Sequence, residues 1–172
     1  MAGAGWRKRI RGWLPEVAIF IVIVGGVHLY RTQDMLNASG EPSPALFLPT
    51  LDGGQAGLDA GQPSLVYFFA PWCTWCAASA HNIRDLQDLR GPDELSVYLV
   101  ALSYQAVEEV QAYVDRHELD VTVLLGTRET AADWGVSVFP TYYIVDSELG
   151  VVHRDYGYTT LAGLWLRTWL AD

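Results

Sequence analysis

Two cysteines, Cys73 and Cys76, follow the apolar run at residues 65–69 and are the only cysteines in the 172-residue chain. The run is rich in aromatic and β-branched residues and predicts a buried strand, and the residues after it predict a helix. A Cys-x-x-Cys at such a junction places one sulfur at the helix N-terminus, where free N–H groups and the helix dipole favour negative charge. Because the thiolate is the reactive form of cysteine, this arrangement predicts a redox nucleophile.

Three interpretations of the cysteine pair are open. A dithiol/disulfide redox centre requires two cysteines in a strand–helix context, and the sequence supplies both. A zinc site requires about four ligands, whereas the histidines are scattered singly (His28, His81, His117 and His153). A structural disulfide is the third interpretation, but closing so short a loop removes little entropy from the unfolded chain. We favour the redox centre and expect no metal site and no cofactor requirement.

The charged residues are unevenly distributed along the chain. Five of the eleven basic residues lie in the first 31 positions, whereas residues 41–172 contain six basic and eighteen acidic residues. Such a domain would repel phosphates, so we expect no nucleic-acid binding. Its acidic surface favours solubility and could favour basic partners.

The N-terminal segment has the layout of a membrane anchor. Four basic residues between positions 7 and 11 precede an apolar stretch at residues 13–30, whose centre has no charged residue. About 18 residues are just enough to span a bilayer, and the preceding basic residues predict a cytoplasmic N-terminus. A cleaved signal peptide is the alternative, but no small-x-small cleavage site directly follows the stretch. We therefore predict a single-pass inner-membrane anchor with a periplasmic C-terminal domain.

The chain thus has three predicted parts. Residues 1–31 form a basic stub and signal-anchor transmembrane helix, residues 32–43 form a linker rich in small residues and proline, and residues 44–172 form the folded domain. Disulfides persist outside the cytoplasm, so the anchor and the cysteine pair support each other.

Strands alternate with helices in the first part of the domain, and a hairpin followed by a helix ends it. This pattern predicts an α/β fold with a central mixed β-sheet flanked by helices. Residues 45–60 predict a short strand or hairpin that leads into the core. The predicted strands are residues 65–70, 95–102, 121–125, 141–146 and 151–156, and the predicted helices are residues 73–89, 107–117, 129–134 and 160–170.

Two segments resemble a known family. Residues 69–76 (Phe-Ala-Pro-Trp-Cys-Thr-Trp-Cys) resemble the thioredoxin active-site segment, and residues 134–141 (Trp-Gly-Val-Ser-Val-Phe-Pro-Thr) resemble the later segment that carries a cis-proline. The predicted anchor and the helix–strand pair between these segments are similar to the membrane-tethered TlpA/ResA-type branch. The resemblance covers about residues 44–172 and implies a thioredoxin-like fold.

The resemblance also implies residue roles. Cys73 would be the attacking, partly exposed thiolate, and Cys76 the buried resolving thiol. Pro140 would be cis and lie beside the disulfide, with the backbone of Phe139 pairing with an extended substrate segment. The expected substrate-binding residues are Trp72, Thr74, Trp75, Phe139 and Pro140.

Four positions depart from the family pattern. Trp75 stands where a proline often precedes the second cysteine, and His81 stands where a helix proline is expected. Tyr67 replaces the buried aspartate of thioredoxins, and Ser79 replaces the glutamate of ResA-type proteins. The usual carboxylate proton acceptor for Cys76 is therefore missing at both positions. These neighbours set thiolate stability, so the direction of electron flow stays open.

The function predicted from the sequence is that of a membrane-tethered thiol–disulfide oxidoreductase. It would reduce disulfides of envelope proteins, with cytochrome c maturation as an example by family analogy. Its partners would be a disulfide-containing envelope protein and a membrane protein that donates or accepts electrons. The alternatives are an oxidase that uses the same site and a non-catalytic, metal-handling binding module.

Overall fold

The computed structural model describes residues 16–27 and 35–171, in two units, Met1–Asp34 and Met35–Asp172. In the first unit, residues 16–27 form helix α1. Within the described residues, no helix has the length and apolar character needed to cross a membrane. The predicted anchor at residues 13–30 extends outside the described residues at both ends, so it stays a prediction.

The second unit is built on a six-stranded mixed sheet with the order β1-β8-β7-β4-β5-β6. Strands β4, β5 and β6 are parallel, whereas β7 and β8 run antiparallel to their neighbours. A separate hairpin pairs β2 with β3. The strands are β1 (Glu41–Pro42), β2 (Phe47–Pro49), β3 (Gln55–Gly57), β4 (Ser64–Phe69), β5 (Ser96–Ala101), β6 (Thr122–Leu125), β7 (Thr141–Val145) and β8 (Gly150–Tyr156).

Four helices accompany this sheet. They are α2 (Thr74–Arg90), α3 (Val107–His117), α4 (Arg128–Asp133) and α5 (Leu161–Trp169). The predicted central mixed sheet with flanking helices is confirmed, and the helix ends lie within one residue of the predicted ones. The fold is therefore the α/β arrangement that the alternation of elements indicated.

Strand β4 is central because residues on both of its faces are buried. Leu65, Tyr67 and Phe69 point into a core cluster that includes residues of α2, α3 and α5. Val66 and Phe68 point into the second core cluster on the opposite face. Successive side chains of a strand alternate between faces, so a strand covered on both sides must be apolar throughout.

Three aromatic residues organise the second cluster. Phe68 lies with its ring centroid 5.4 Å from that of Trp134 and 6.1 Å from that of Tyr143. The Tyr143 hydroxyl donates a hydrogen bond to the Trp134 carbonyl at 2.6 Å. This bond satisfies a buried polar group and connects β7 to the end of α4.

Residues 35–43, which the sequence assigns to the linker, contact the domain. β1 pairs antiparallel with β8, and Met35 is buried in the second core cluster. The Arg154 guanidinium donates to the carbonyls of Met35 and Leu36 at 2.8 and 2.7 Å. The small residues and prolines of this segment gave no strand signal, because its pairing depends on the edge that β8 offers.

We predict that Phe68→Ala lowers the free energy of unfolding by about 3–5 kcal/mol, because it leaves a cavity in the second core cluster. Phe47→Ala is the matched control, since Phe47 is 69% exposed and an exposed substitution costs within about 0.5 kcal/mol. Urea unfolding of the oxidised full-length protein measures both. Equal losses in the two variants would contradict the assigned core.

Candidate active site

The candidate site lies where the central strand β4 passes into α2. The Cys73 N–H donates to the Ala70 carbonyl at 3.0 Å in the connecting turn. Cys73 has an extended backbone and is the N-cap of α2, and its sulfur accepts a hydrogen bond from the Cys76 N–H at 3.1 Å. An N–H at a helix N-terminus directed at sulfur stabilises negative charge there. The strand–helix junction predicted from the sequence is present.

Cys73 and Cys76 form a disulfide, with their Cα atoms 5.2 Å apart. Cys73 is 7% exposed and Cys76 is fully buried. The two sulfurs therefore differ in access to a partner molecule. An incoming thiolate or disulfide can meet Cys73, whereas Cys76 is enclosed by the core.

Two exposed tryptophans flank the disulfide. Trp72 and Trp75 are each 64% exposed, an unusual degree of exposure for this residue type. The Trp72 indole N–H donates to the Ser103 carbonyl at 2.9 Å, and its ring meets the Phe139 ring edge-on at 5.8 Å. Trp72 is therefore held in place by two contacts, one with Ser103 and one with Phe139. Thr74 is exposed at the start of α2.

Residues 134–141, the segment that resembles the cis-proline region, contact the active-site segment 69–76 through the rings of Phe139 and Trp72. The Phe139–Pro140 peptide bond is cis, as the resemblance implies. Pro140 is buried, and its carbonyl accepts from the Gly157 N–H at 2.7 Å. Phe139 is partly buried, packs against both core clusters and directly precedes Pro140. The structure thus brings together Trp72 and Phe139, which are far apart in sequence.

Hydroxyl groups occupy the two positions where the family places carboxylates. The Tyr67 hydroxyl is buried and makes no hydrogen bond of normal geometry among the described residues. Burial raises the pKa of Tyr67, and the nearby Ser79 hydroxyl offsets only part of that rise. The Ser79 hydroxyl donates to the Trp75 carbonyl at 3.0 Å. Tyr67 is therefore neutral over the physiological pH range. The remaining unusual residue of α2, His81, is exposed.

The sequence reasoning missed Ser103, which supports Trp72. Ser103 has a positive φ of 54°, a conformation that is uncommon for residues other than glycine. It follows β5 closely, and its carbonyl accepts the Trp72 indole hydrogen bond. No sequence signal marks this role, because it depends on a backbone carbonyl and on the pairing of β5 with β4.

Comparison with known proteins agrees with this geometry. Residues 38–162 match the Redoxin family model. The thioredoxin-like protein YneN of Bacillus subtilis (strain 168) is 32% identical over 154 residues, which cover 83% of this chain and 88% of that protein. The thiol:disulfide interchange protein DsbE of Pseudomonas fluorescens biotype C is 25% identical, covering 86% of this chain and 85% of that protein.

The fold is also similar to a solved structure. A thioredoxin-family thiol:disulfide interchange protein from Chlorobium tepidum TLS matches with a TM-score of 0.71 at 21% identity, covering 79% of this chain and 99% of that chain. The likeness supports the strand order and helix placement described above. With its Cys73–Cys76 pair at a helix N-terminus and its family match, the chain belongs to the Redoxin family and is a thiol–disulfide oxidoreductase with a thioredoxin-like fold.

Proposed function

We propose that the protein is tethered to the inner membrane and reduces disulfides of envelope proteins in the periplasm. The observation that carries the proposal is the unequal access to the two sulfurs: Cys73 keeps a small exposed area of 7% next to the exposed Trp72, and Cys76 is fully buried. Such a pair separates the sulfur that meets the substrate from the sulfur that resolves the intermediate.

The first step joins enzyme and substrate. In the reduced protein, the Cys73 thiolate attacks one sulfur of the substrate disulfide, and a mixed disulfide forms as the substrate S–S bond breaks. The leaving substrate sulfur takes up a proton. The Cys76 N–H, which contacts the Cys73 sulfur at 3.1 Å in the oxidised protein, is placed to stabilise the thiolate before attack.

The second step releases the substrate. Cys76 loses its proton and attacks the Cys73 sulfur, so that the mixed disulfide breaks and the second substrate sulfur leaves as a thiol. Two electrons pass to the substrate, and the Cys73–Cys76 disulfide is the product on the enzyme. A membrane protein that donates two electrons would restore the dithiol.

The surroundings of Cys73 support the reducing direction. Strong oxidants of this chemistry owe their potential to a strongly stabilised thiolate. Within the described part of the chain, the Cys76 N–H is the one hydrogen-bond donor to the Cys73 sulfur, and the first turn of α2 (Thr74-Trp75-Cys76) carries no cationic side chain. Modest stabilisation of the thiolate favours a low reduction potential.

The location in the envelope rests on other support. The basic residues and apolar stretch before position 31 have the layout of a signal-anchor, and the protein disulfides that such a pair would reduce persist outside the cytoplasm. One relative is named thiol:disulfide interchange protein DsbE. As one process in which the present protein would act, we propose cytochrome c maturation.

We predict that Cys76→Ser accumulates mixed disulfides with substrate proteins, because Cys73 still attacks but nothing resolves the adduct. The measurement is non-reducing electrophoresis of the full-length variant in its native membrane, followed by identification of the attached proteins. Cys73→Ser/Cys76→Ser is the control and should trap nothing. If Cys73→Ser alone retains wild-type turnover, the proposed mechanism is wrong.

We predict a reduction potential of about −250 mV or below for the Cys73–Cys76 pair, the range of reducing thioredoxins. Equilibration with dithiothreitol mixtures measures it, with tryptophan fluorescence as the signal because Trp72 and Trp75 adjoin the disulfide. A potential of about −120 mV would indicate a disulfide-donating oxidase instead.

We predict that Trp72→Ala and Trp75→Ala each lower kcat/KM for a disulfide-bonded protein substrate by about tenfold or more, because exposed tryptophans at contact surfaces contribute strongly to binding. Trp169→Ala is the matched control: Trp169 is 54% exposed but lies on α5, where it stacks on Trp165. Equal losses in all three variants would argue against a contact surface around the disulfide.

A further inference from the structure

A cleft of about 860 Å³ opens beside the disulfide. The residues that line it include Pro71, Trp72, Tyr104, Arg116 and Arg128. Consecutive Cα atoms are about 3.8 Å apart, so the edge of the cleft at Trp72 lies one residue from Cys73. The cleft therefore adjoins the segment of chain that carries the reactive sulfur.

The two arginines of the cleft differ from the other arginines of the domain. Arg116 and Arg128 are exposed, and no described residue forms an ion pair with either of them. The other four arginines of residues 41–172 have partners: Arg84, Arg90 and Arg167 bind carboxylates, and Arg154 donates to backbone carbonyls.

The lining of the cleft keeps a formal net positive charge. Glu109 also lines the cleft, and its carboxylate accepts a hydrogen bond from the Gln105 backbone N–H at 3.1 Å. The pKa of Glu129 is lowered first by its hydrogen bond to Thr127, and Arg128 is the smallest of the causes. The lining therefore holds two guanidinium groups and one carboxylate, a formal net charge of +1, in a domain where acidic residues outnumber basic residues three to one.

Trp72 connects the cleft to the rest of the site. Its indole N–H binds the carbonyl of Ser103, another residue of the cleft lining, while its ring contacts Phe139 next to the cis-proline. An extended segment advances about 3.3 Å per residue. The first few residues beyond a reacting cysteine would therefore lie over the cleft.

We infer that this cleft binds the segment next to the reacting cysteine of the substrate and selects segments that carry carboxylates. The inference rests on the proposed function and specifies its substrate class: a disulfide-bonded protein with an acidic flank on one side of the cysteine. At physiological ionic strength the Debye length is about 8 Å. The nearby arginines, rather than the acidic remainder of the domain, then determine the interaction of such a flank.

The test uses peptides that carry one cysteine, joined in a disulfide to the neutral thiol β-mercaptoethanol. Each peptide has glutamates or glutamines on one chosen side of the cysteine. Stopped-flow fluorescence of reduced full-length protein gives the rate of oxidation of the Cys73–Cys76 dithiol. At an ionic strength of about 0.15 M we expect a glutamate-to-glutamine rate ratio of about three to ten on one flank, which is the combined effect of two exposed charge pairs of ordinary strength.

Variants assign the effect to the cleft. In R116Q/R128Q the ratio should fall to about one, and in R116E/R128E below one, because the favourable pairs are first removed and then reversed. Arg84→Gln is the matched control: it removes an arginine that already binds Glu118 and should keep the ratio. Both cleft arginines are exposed, so the melting temperatures should stay close to that of the wild type.

The outcomes separate this inference from the proposed function. If wild type reduces the glutamine peptides as fast as the glutamate peptides on both flanks, the inference fails and the proposed function stands. A ratio that R116Q/R128Q leaves unchanged, or that Arg84→Gln lowers equally, also overturns the inference. If no peptide is reduced through Cys73, the proposed function fails and the inference fails with it.

Discussion

The passage from β4 into α2 is the constraint on which the rest of the structure depends. β4 pairs with β5 on one side and β7 on the other, and both of its faces are covered by core residues. The end of this strand is therefore held in place, and with it the N-terminus of α2. Because Cys73 is the N-cap of that helix, the rigidity of the core determines where the reactive sulfur lies.

The site is assembled from segments that the sheet brings to one end. The residues after β4 supply the cysteines, Ser103 after β5 supplies the carbonyl that holds Trp72, and the residues before β7 supply Phe139 and Pro140. In the sheet, β4 lies between β7 and β5. Pairing between strands thus performs the positioning that a single segment of chain could not.

The environment of the disulfide is different on its two sides. On the buried side lie neutral hydroxyl groups, with Tyr67 held in its uncharged form by burial. On the open side lie two exposed tryptophans and a cleft with two arginines. The charged groups of the cleft therefore lie on the exposed surface of the domain, rather than at positions 67 and 79 of the core.

The sequence alone determined the α/β class, the order of the main elements and the cysteine pair, because these depend on local periodicity and on a short motif. The sequence also identified the segment around Pro140, because that segment resembles the cis-proline region of thioredoxins. The tertiary structure decided what depends on distant pairing. Residues 41–42 join the sheet because β8 offers an edge, Ser103 holds Trp72, and Arg116 and Arg128 meet in one cleft. None of these carries a local signal, because each depends on contacts between residues far apart in the chain.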